Sequence, residues 1–245
     1  MPTSERQPLT AWQAEHLRLT LFRVPAPVDG VWQQFAREEP TEQTRQTRAA
    51  ILQEQGPFRG ERLVTEVRPE RVDVIFAAEP APASTFPSIG AFESLSSEFV
   101  QSCCDWLSTH AHGALRVAFG SAVLLPVPDR ETGYRRLASY LPFAPDPTAY
   151  DFLYQINRRR ESTVLPKLTV NRLSRWSVAQ FQGFAVGLPA GPYVVGDPSH
   201  ACRIELDINN ANREEGARIP ADCASDLLRE LASFARDIIQ QGDRP

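Results

Sequence analysis

The sequence predicts an α+β fold: a largely antiparallel sheet, or sheets, packed against long helices, with room for two similar halves. Three features carry that expectation. Strand-like segments arrive in pairs. Helical segments interrupt them without alternating one for one. Two long apolar stripes at helical spacing stand ready to cover a sheet.

In chain order, "LRLTLFRV" (17–24) alternates apolar and polar side chains at the period of a half-buried strand, and Pro25 and Pro27 stop it. Val28, Val31, Trp32 and Phe35 then recur at helical spacing. The polar stretch "EEPTEQTRQTRAAILQEQGPFRG" predicts a helix at most in its middle, with Gly56, Pro57 and Gly60 closing it as a loop. "ERLVTEVRPERVDVIFAAEP" predicts a hairpin turning at Arg68-Pro69-Glu70. The proline-rich "EPAPASTFPSIG" is a connector. It divides a strand–helix–hairpin portion (1–82) from a helix plus strand-rich portion (83–245), and the two can form a single domain.

Beyond the connector, Phe92, Leu95, Phe99, Cys103, Trp106, Leu107 and His110 form one apolar helical stripe, with Gly113 past its end. "ALRVAFGSAVLLPV" predicts a buried strand and "DRETGYRRLASYL" a short helix. Three strands follow: "YDFLYQIN", the long "LTVNRLSRWSVAQFQGFAV" and "CRIELDIN". Between the last two, "GFAVGLPAGPYVVGDP" predicts a mobile loop. Pro220 at a first helical position and Asp222 in the first turn open a closing helix. Its buried face is Ala224, Leu227, Leu228, Leu231, Phe234, Ala235 and Ile238, and Gly242 ends it.

The 245 residues, 42% apolar and 23% charged, are enough to build a core without disulfides. A net charge of −4 argues against bulk binding to nucleic acid or anionic membrane. Cys103, Cys104, Cys202 and Cys223 match neither zinc-site spacing nor a secreted disulfide framework. The N-terminal stretch has charge and proline where a signal peptide needs an apolar core, and no run reaches the ~18 apolar residues of a membrane span. The expectation is a cytoplasmic protein with reduced thiols.

"YQINRRRESTVLPKLTVNRLSRW" (154–176) departs from this acidic average. It carries six cationic side chains, Arg158, Arg159, Arg160, Lys167, Arg172 and Arg175, against one acid, Glu161. Lys167 is the only lysine of the chain, so arginine is enriched everywhere and not here alone. If the flanking strands pair, Asn157 and Arg158 lie near Asn171 and Arg172. The period of two turns Phe152, Tyr154 and Ile156 to the core and places Asn157, Arg159, Asn171 and Arg175 on one exposed face. Guanidinium groups there suit carboxylate or phosphate. The binding residues expected are therefore Asn157, Arg158, Arg159, Arg160, Asn171, Arg172 and Arg175. The plainer alternative is an arginine-rich strand end and hairpin loop with no role.

His110 and His112 have the spacing of a metal-binding H-x-H, but no further ligand cluster completes a coordination sphere. His200 and Cys202 share a strand face and form the one pair worth testing as a nucleophile and base. No dinucleotide fingerprint, phosphate loop, zinc-protease motif or nucleophile elbow is present. No catalytic residue, cofactor or metal is expected.

The segments "YDFLYQINRRRES", "IELDINN" and "LLRELASFARDIIQQGD" together resemble a sporadically distributed family of uncharacterised bacterial proteins of about this length. The resemblance covers mainly the C-terminal half and brings no catalytic residues with it. It implies patchy distribution, typical of antitoxins, immunity proteins and defence accessories. The function expected is accordingly that of a non-enzymatic cytosolic bacterial protein acting by protein–protein binding, within a toxin/immunity or phage-defence system and with an acidic partner surface. The alternative is a nucleotide- or nucleic-acid-phosphate-binding module using residues 158–175.

Overall fold

The structure is a computed structural model and describes residues 6–23, 30–79, 86–110, 113–187, 191–211 and 218–243, with the side chains of 110, 183–187 and 191–196 left aside. Its elements are β1 (Gln13–Phe22), α1 (Val31–Ala36), β2 (Glu42–Gln46), β3 (Ile51–Phe58), β4 (Glu61–Arg68), β5 (Arg71–Ala77), β6 (Gly90–Ala91) and α2 (Phe92–His110). Then come β7 (Arg116–Val127), α3 (Arg130–Leu137), β8 (Leu153–Glu161), β9 (Thr169–Gly187), β10 (Gly191–Asn210) and α4 (Ala221–Gln241).

Among the described residues all the strands join one antiparallel sheet of ten, ordered β2-β3-β4-β5-β1-β7-β10-β9-β8, with the short β6 on β1. The largely antiparallel α+β architecture expected from paired strands is present. The sheet is continuous across both portions of the chain. Read outward from the β1–β7 seam, each side gives a first strand and then the strands of a meander in reverse chain order, β5, β4, β3 and β2 on one side and β10, β9 and β8 on the other, so the β1 side carries one strand more. A short helix follows each seam strand, and α2 or α4 follows each meander.

The helices are not long. They have 6, 19, 8 and 21 residues. A helix lying across a sheet of ten-residue strands needs only ~30 Å, which about 20 residues supply. Sheet size, not sequence periodicity alone, sets their length.

One row of side chains shows how the core is built. Val74, Leu19, Phe119 and Ile208 lie opposite one another on β5, β1, β7 and β10, and all are fully buried. The helices pack on this side only. Phe35 of α1 and Leu95 and Phe99 of α2 meet Phe58, Leu63 and Phe76. In α3, the Gly133 carbonyl accepts from the Cys202 thiol at 3.4 Å. The apolar stripe of α4 is buried as its spacing predicts, with Ala224, Leu227, Leu228, Leu231, Phe234, Ala235 and Ile238 all in the core. α2 and α4 run antiparallel: Ser225 donates to the Cys104 carbonyl at 3.1 Å, and Arg236 reaches back to Ser96. Among the described residues no helix covers the other side of the sheet, and none is long and apolar enough to cross a membrane.

Two local expectations are corrected. The stretch expected to be helix and then loop is strand, β2 and β3, including Gly56 and Pro57. β2 pairs with β3 only as far as Gln55, so the missing N–H of Pro57 costs no ladder bond there. At Gly56 an added Cβ would come within 3.1 Å of Trp32, so glycine lets the indole approach the strand. The glycine-rich stretch expected to be a loop is strand backbone on both sides, to Gly187 and from Gly191.

Gly242 closes α4 at φ +79°, with its N–H donating to the Ile238 carbonyl at 2.8 Å. An added Cβ there would fall 2.1 Å from the Tyr140 carbonyl oxygen, whereas Gly60, at φ +84°, has nothing within 4 Å. Gly60→Ala is therefore expected to cost ~1 kcal/mol of backbone strain, and Gly242→Ala ~3 kcal/mol or more because the backbone must also move. Urea denaturation of the two variants against the parent checks the difference; equal losses would contradict this packing.

Candidate polar face and its cleft

The period of two splits the arginine-rich segment between the two sides of the sheet. β8 runs on through Glu161, so Arg158, Arg159 and Arg160 are strand residues and not part of the expected hairpin loop. Arg158 lies opposite Arg172, and Arg172 lies opposite Ile208, so both arginines continue the core row under α4. Arg159 lies opposite Asn171 on the uncovered side.

On the covered side the arginines are engaged by the end of α4. Arg158 binds Asp243 through Nε at 2.5 Å and Nη2 at 3.0 Å, and the Tyr154 hydroxyl donates to the same carboxylate at 2.7 Å. Arg172 is only 7% exposed, and its guanidinium sits 5.4 Å from the centroid of the Phe234 ring. Burial lowers its pKa, with the Arg160 charge adding to the effect. The exposed Arg160 lies 5.9 Å from the same ring. Glu230 of α4 fastens the β8–β9 connection, accepting from the Thr163 N–H at 2.6 Å and hydroxyl at 2.7 Å. Arg158 and Arg172 thus pin the sheet edge to the last helix.

The uncovered side brings Asn157, Arg159, Asn171 and Arg175 together, as the alternation predicts. Asn157 Nδ2 and Arg159 Nε donate to Asn171 Oδ1 at 3.2 and 3.1 Å. Asn171 Nδ2 donates to Asn209 Oδ1 at 3.0 Å, and Asn209 to Asp207 at 2.8 Å. A second polar ladder crosses the same strands. Arg175 bonds Gln155 and lies 3.7 Å from Glu205; Glu205 pairs with Arg203, whose Nε meets Glu15 of β1 at 2.8 Å.

Between the ladders the sheet is hollowed. Midway along β7 the open-face residues are Ala118, Gly120 and Ala122, small side chains flanked by the longer ones of β1 and β10. Register puts Arg18, Gly120, Asp207 and Leu173 in one line, and His16, Ala122, Glu205 and Arg175 in the next. The result is a cleft of about 290 Å³ bounded by His16, Arg18, Leu173, Arg175, Glu205 and Asp207. Burial lowers the His16 pKa; Glu15 opposes this and Arg18 reinforces it. The sequence reading missed this cleft. Its one signal was Gly120, a glycine inside an apolar strand, which marks close approach of another group.

The remaining candidates do not assemble. Cys202 is fully buried on the covered side, and burial pushes its thiol up to about 12, so it is held as a protonated donor to Gly133. Thiolate chemistry with His200 has no support in that setting. His112 and the His110 side chain lie outside the described residues. Among the described residues no three His, Cys, Asp or Glu side chains group as a metal site would require. No family model, curated protein or solved structure matches this chain.

Asp243 yields a pH prediction. Burial would push its carboxyl up, but hydrogen bonds from Arg158 and Tyr154 and the charges of Arg158 and Arg172 outweigh it and hold the pKa below the ordinary carboxylate value. A depressed pKa contributes stability that is present above the unfolded value of about 3.9 and is lost as pH falls through the native value. Asp243→Asn is expected to cost about 3 kcal/mol at neutral pH by stranding Arg158 and Arg172. In urea titrations at several pH values, the gap between parent and variant should stay constant above about pH 5 and narrow below about pH 4. A gap that widens in acid would refute the assignment.

Proposed function

We propose that this chain is a non-enzymatic cytoplasmic bacterial protein that binds a protein partner with the open face of its sheet, as a component of a toxin/immunity or phage-defence system. The observation that carries the reading is the one-sided covering of the sheet. Helices bury one face, while the other presents Asn157, Arg159, Asn171 and Arg175 in a hydrogen-bonded array beside the β8 edge. Such an array is preorganised by its hydrogen bonds, so a partner carboxylate meets guanidinium groups that need little further ordering. The conflict-system setting rests on the resemblance to a sporadically distributed bacterial family. Two halves of like element order give the face its width.

The phosphate-binding alternative draws less support. Arg158 and Arg172, two of the arginines it would use, are spent on Asp243 and Phe234 beneath α4. The cations left on the open side alternate with Glu205 and Asp207 and do not form a continuous track for a polyanion.

Native mass spectrometry at low salt, on protein isolated from a bacterial host expressing its neighbouring genes, tests the proposal. The parent chain is expected to carry a second polypeptide. Arg159→Glu with Arg175→Glu should slow association on the order of tenfold at low salt and progressively less as salt is added. An undiminished association rate in that double variant would remove the open face as the interface. A nucleotide or nucleic-acid mass in place of a polypeptide would favour the phosphate reading.

A further inference from the structure

We infer that the cleft between β1 and β10 is a binding site for a small zwitterion, a molecule of amino-acid size carrying one carboxylate and one ammonium group. The cleft borders the partner-binding array at Arg175, but the two charges that define it, Arg18 and Asp207, lie outside that array, and the inference does not depend on the partner reading.

The argument begins with which charges are already satisfied. Arg175 and Arg203 each pair with Glu205, and Arg203 also pairs with Glu15. Arg71, elsewhere on the same face, pairs with Asp73. Arg18 differs from all of these, as do Arg62 and Arg116 of the same face, but of the three only Arg18 lines the cleft. Among the described residues no carboxylate lies within 4 Å of its guanidinium, and its Nε is buried with no hydrogen-bond partner. Asp207 is the counterpart: it accepts one hydrogen bond, from Asn209 to Oδ1, and pairs with no cation. The cleft therefore holds one unneutralised cation and one unneutralised anion.

The positions of these two charges are fixed by register. Arg18 and Asp207 both lie opposite Gly120, one from each side. Neighbouring strands are about 4.8 Å apart, so their backbones stand ~10 Å apart across β7. Glycine at 120 clears the floor between them. An added Cβ would come 3.0 Å from Arg18 Nε and 3.2 Å from Nη2, so the guanidinium lies directly over Gly120. The Arg18 guanidinium and the Asp207 carboxylate thus border the same cleft without pairing with one another.

The remaining walls narrow the ligand class. Arg18 would take a carboxylate in the paired geometry that guanidinium favours, and the free Oδ2 of Asp207 would take an ammonium. A singly charged anion would satisfy Arg18 and leave Asp207 unneutralised, and a singly charged cation would satisfy Asp207 and leave Arg18 unneutralised. Leu173 supplies an apolar surface for the carbon skeleton. The volume, about 290 Å³, lies at the lower bound for ligand pockets and suits a small molecule.

Isothermal titration calorimetry of the full chain tests the inference. The probes are the common α-amino acids, ω-amino acids with two to four carbons between the charges, and the singly charged propionate and propylammonium. At least one zwitterion should bind with a Kd below about 1 mM. Both singly charged controls should bind at least about tenfold more weakly. Arg18→Gln and Asp207→Asn should each abolish the signal while retaining the parent's melting temperature to within a few degrees. The α and ω series distinguish a short from a longer charge separation, and saturation by either supports the site. The inference is overturned if no zwitterion binds at up to about 10 mM. It is equally overturned if propionate binds as well as the best zwitterion, or if binding persists in Asp207→Asn. The ligand series uses the parent protein, so a folding defect in either variant leaves those outcomes decisive.

Discussion

The antiparallel pairing of β1 with β7 is the constraint on which the rest of the structure depends. It joins two meanders into one sheet, and it runs from Gln13 opposite Leu124 to Phe22 opposite Arg116 with a single irregularity near Ala14. From His16 onward side chains alternate strictly along this seam, so the register that sends Leu17, Leu19 and Leu21 into the core with Val117 and Phe119 also sends Arg18 and Gly120 to the open side. A slip of one residue would reverse every one of these assignments. Core and cleft are two consequences of the same pairing.

The two faces then divide the work. The covered face gains its stability from apolar burial beneath α2 and α4, and its charged corner at the end of α4 is neutralised by a compact cluster. There Asp243 receives Arg158 and Tyr154, while Arg172 rests on Phe234. A charge buried without such partners would cost several kcal/mol. The open face has no helix to bury it, so it can carry the ladders through Asn171 and Asn209 and through Arg175, Glu205 and Arg203. Those ladders hold long polar side chains in fixed positions and leave the small residues of β7 as the floor between them.

Much of the fold was legible because local periodicity and tertiary role agree. The α4 stripe, the α2 stripe, the β4–β5 hairpin and the strand at β7 are all elements whose apolar spacing matches the face they bury. The segments misread were those where local signals had a non-local cause. Gly56 and Pro57 punctuate a strand because Trp32 and the end of β2 are there, not because the chain turns. At the candidate site, alternation alone gave Asn157, Arg159, Asn171 and Arg175 a common face. The same alternation places Arg158 two residues beyond Ile156, and so on the core side. What could not be read was Asp243, which receives Arg158 from 85 residues away along the chain. The cleft draws on β1, β7, β9 and β10, and no linear pattern encodes how those strands align.

The most direct test of the claim that the open face is the working surface is photo-crosslinking in the native host. A photoreactive residue is placed at position 171, on the open face, and in a second variant at the exposed position 229 on α4. Both variants are irradiated in intact cells, and covalent adducts are read by mass spectrometry. The account predicts a defined polypeptide adduct from position 171 and none from position 229. Adducts formed from position 229 alone would place the partner on the helical layer and contradict it.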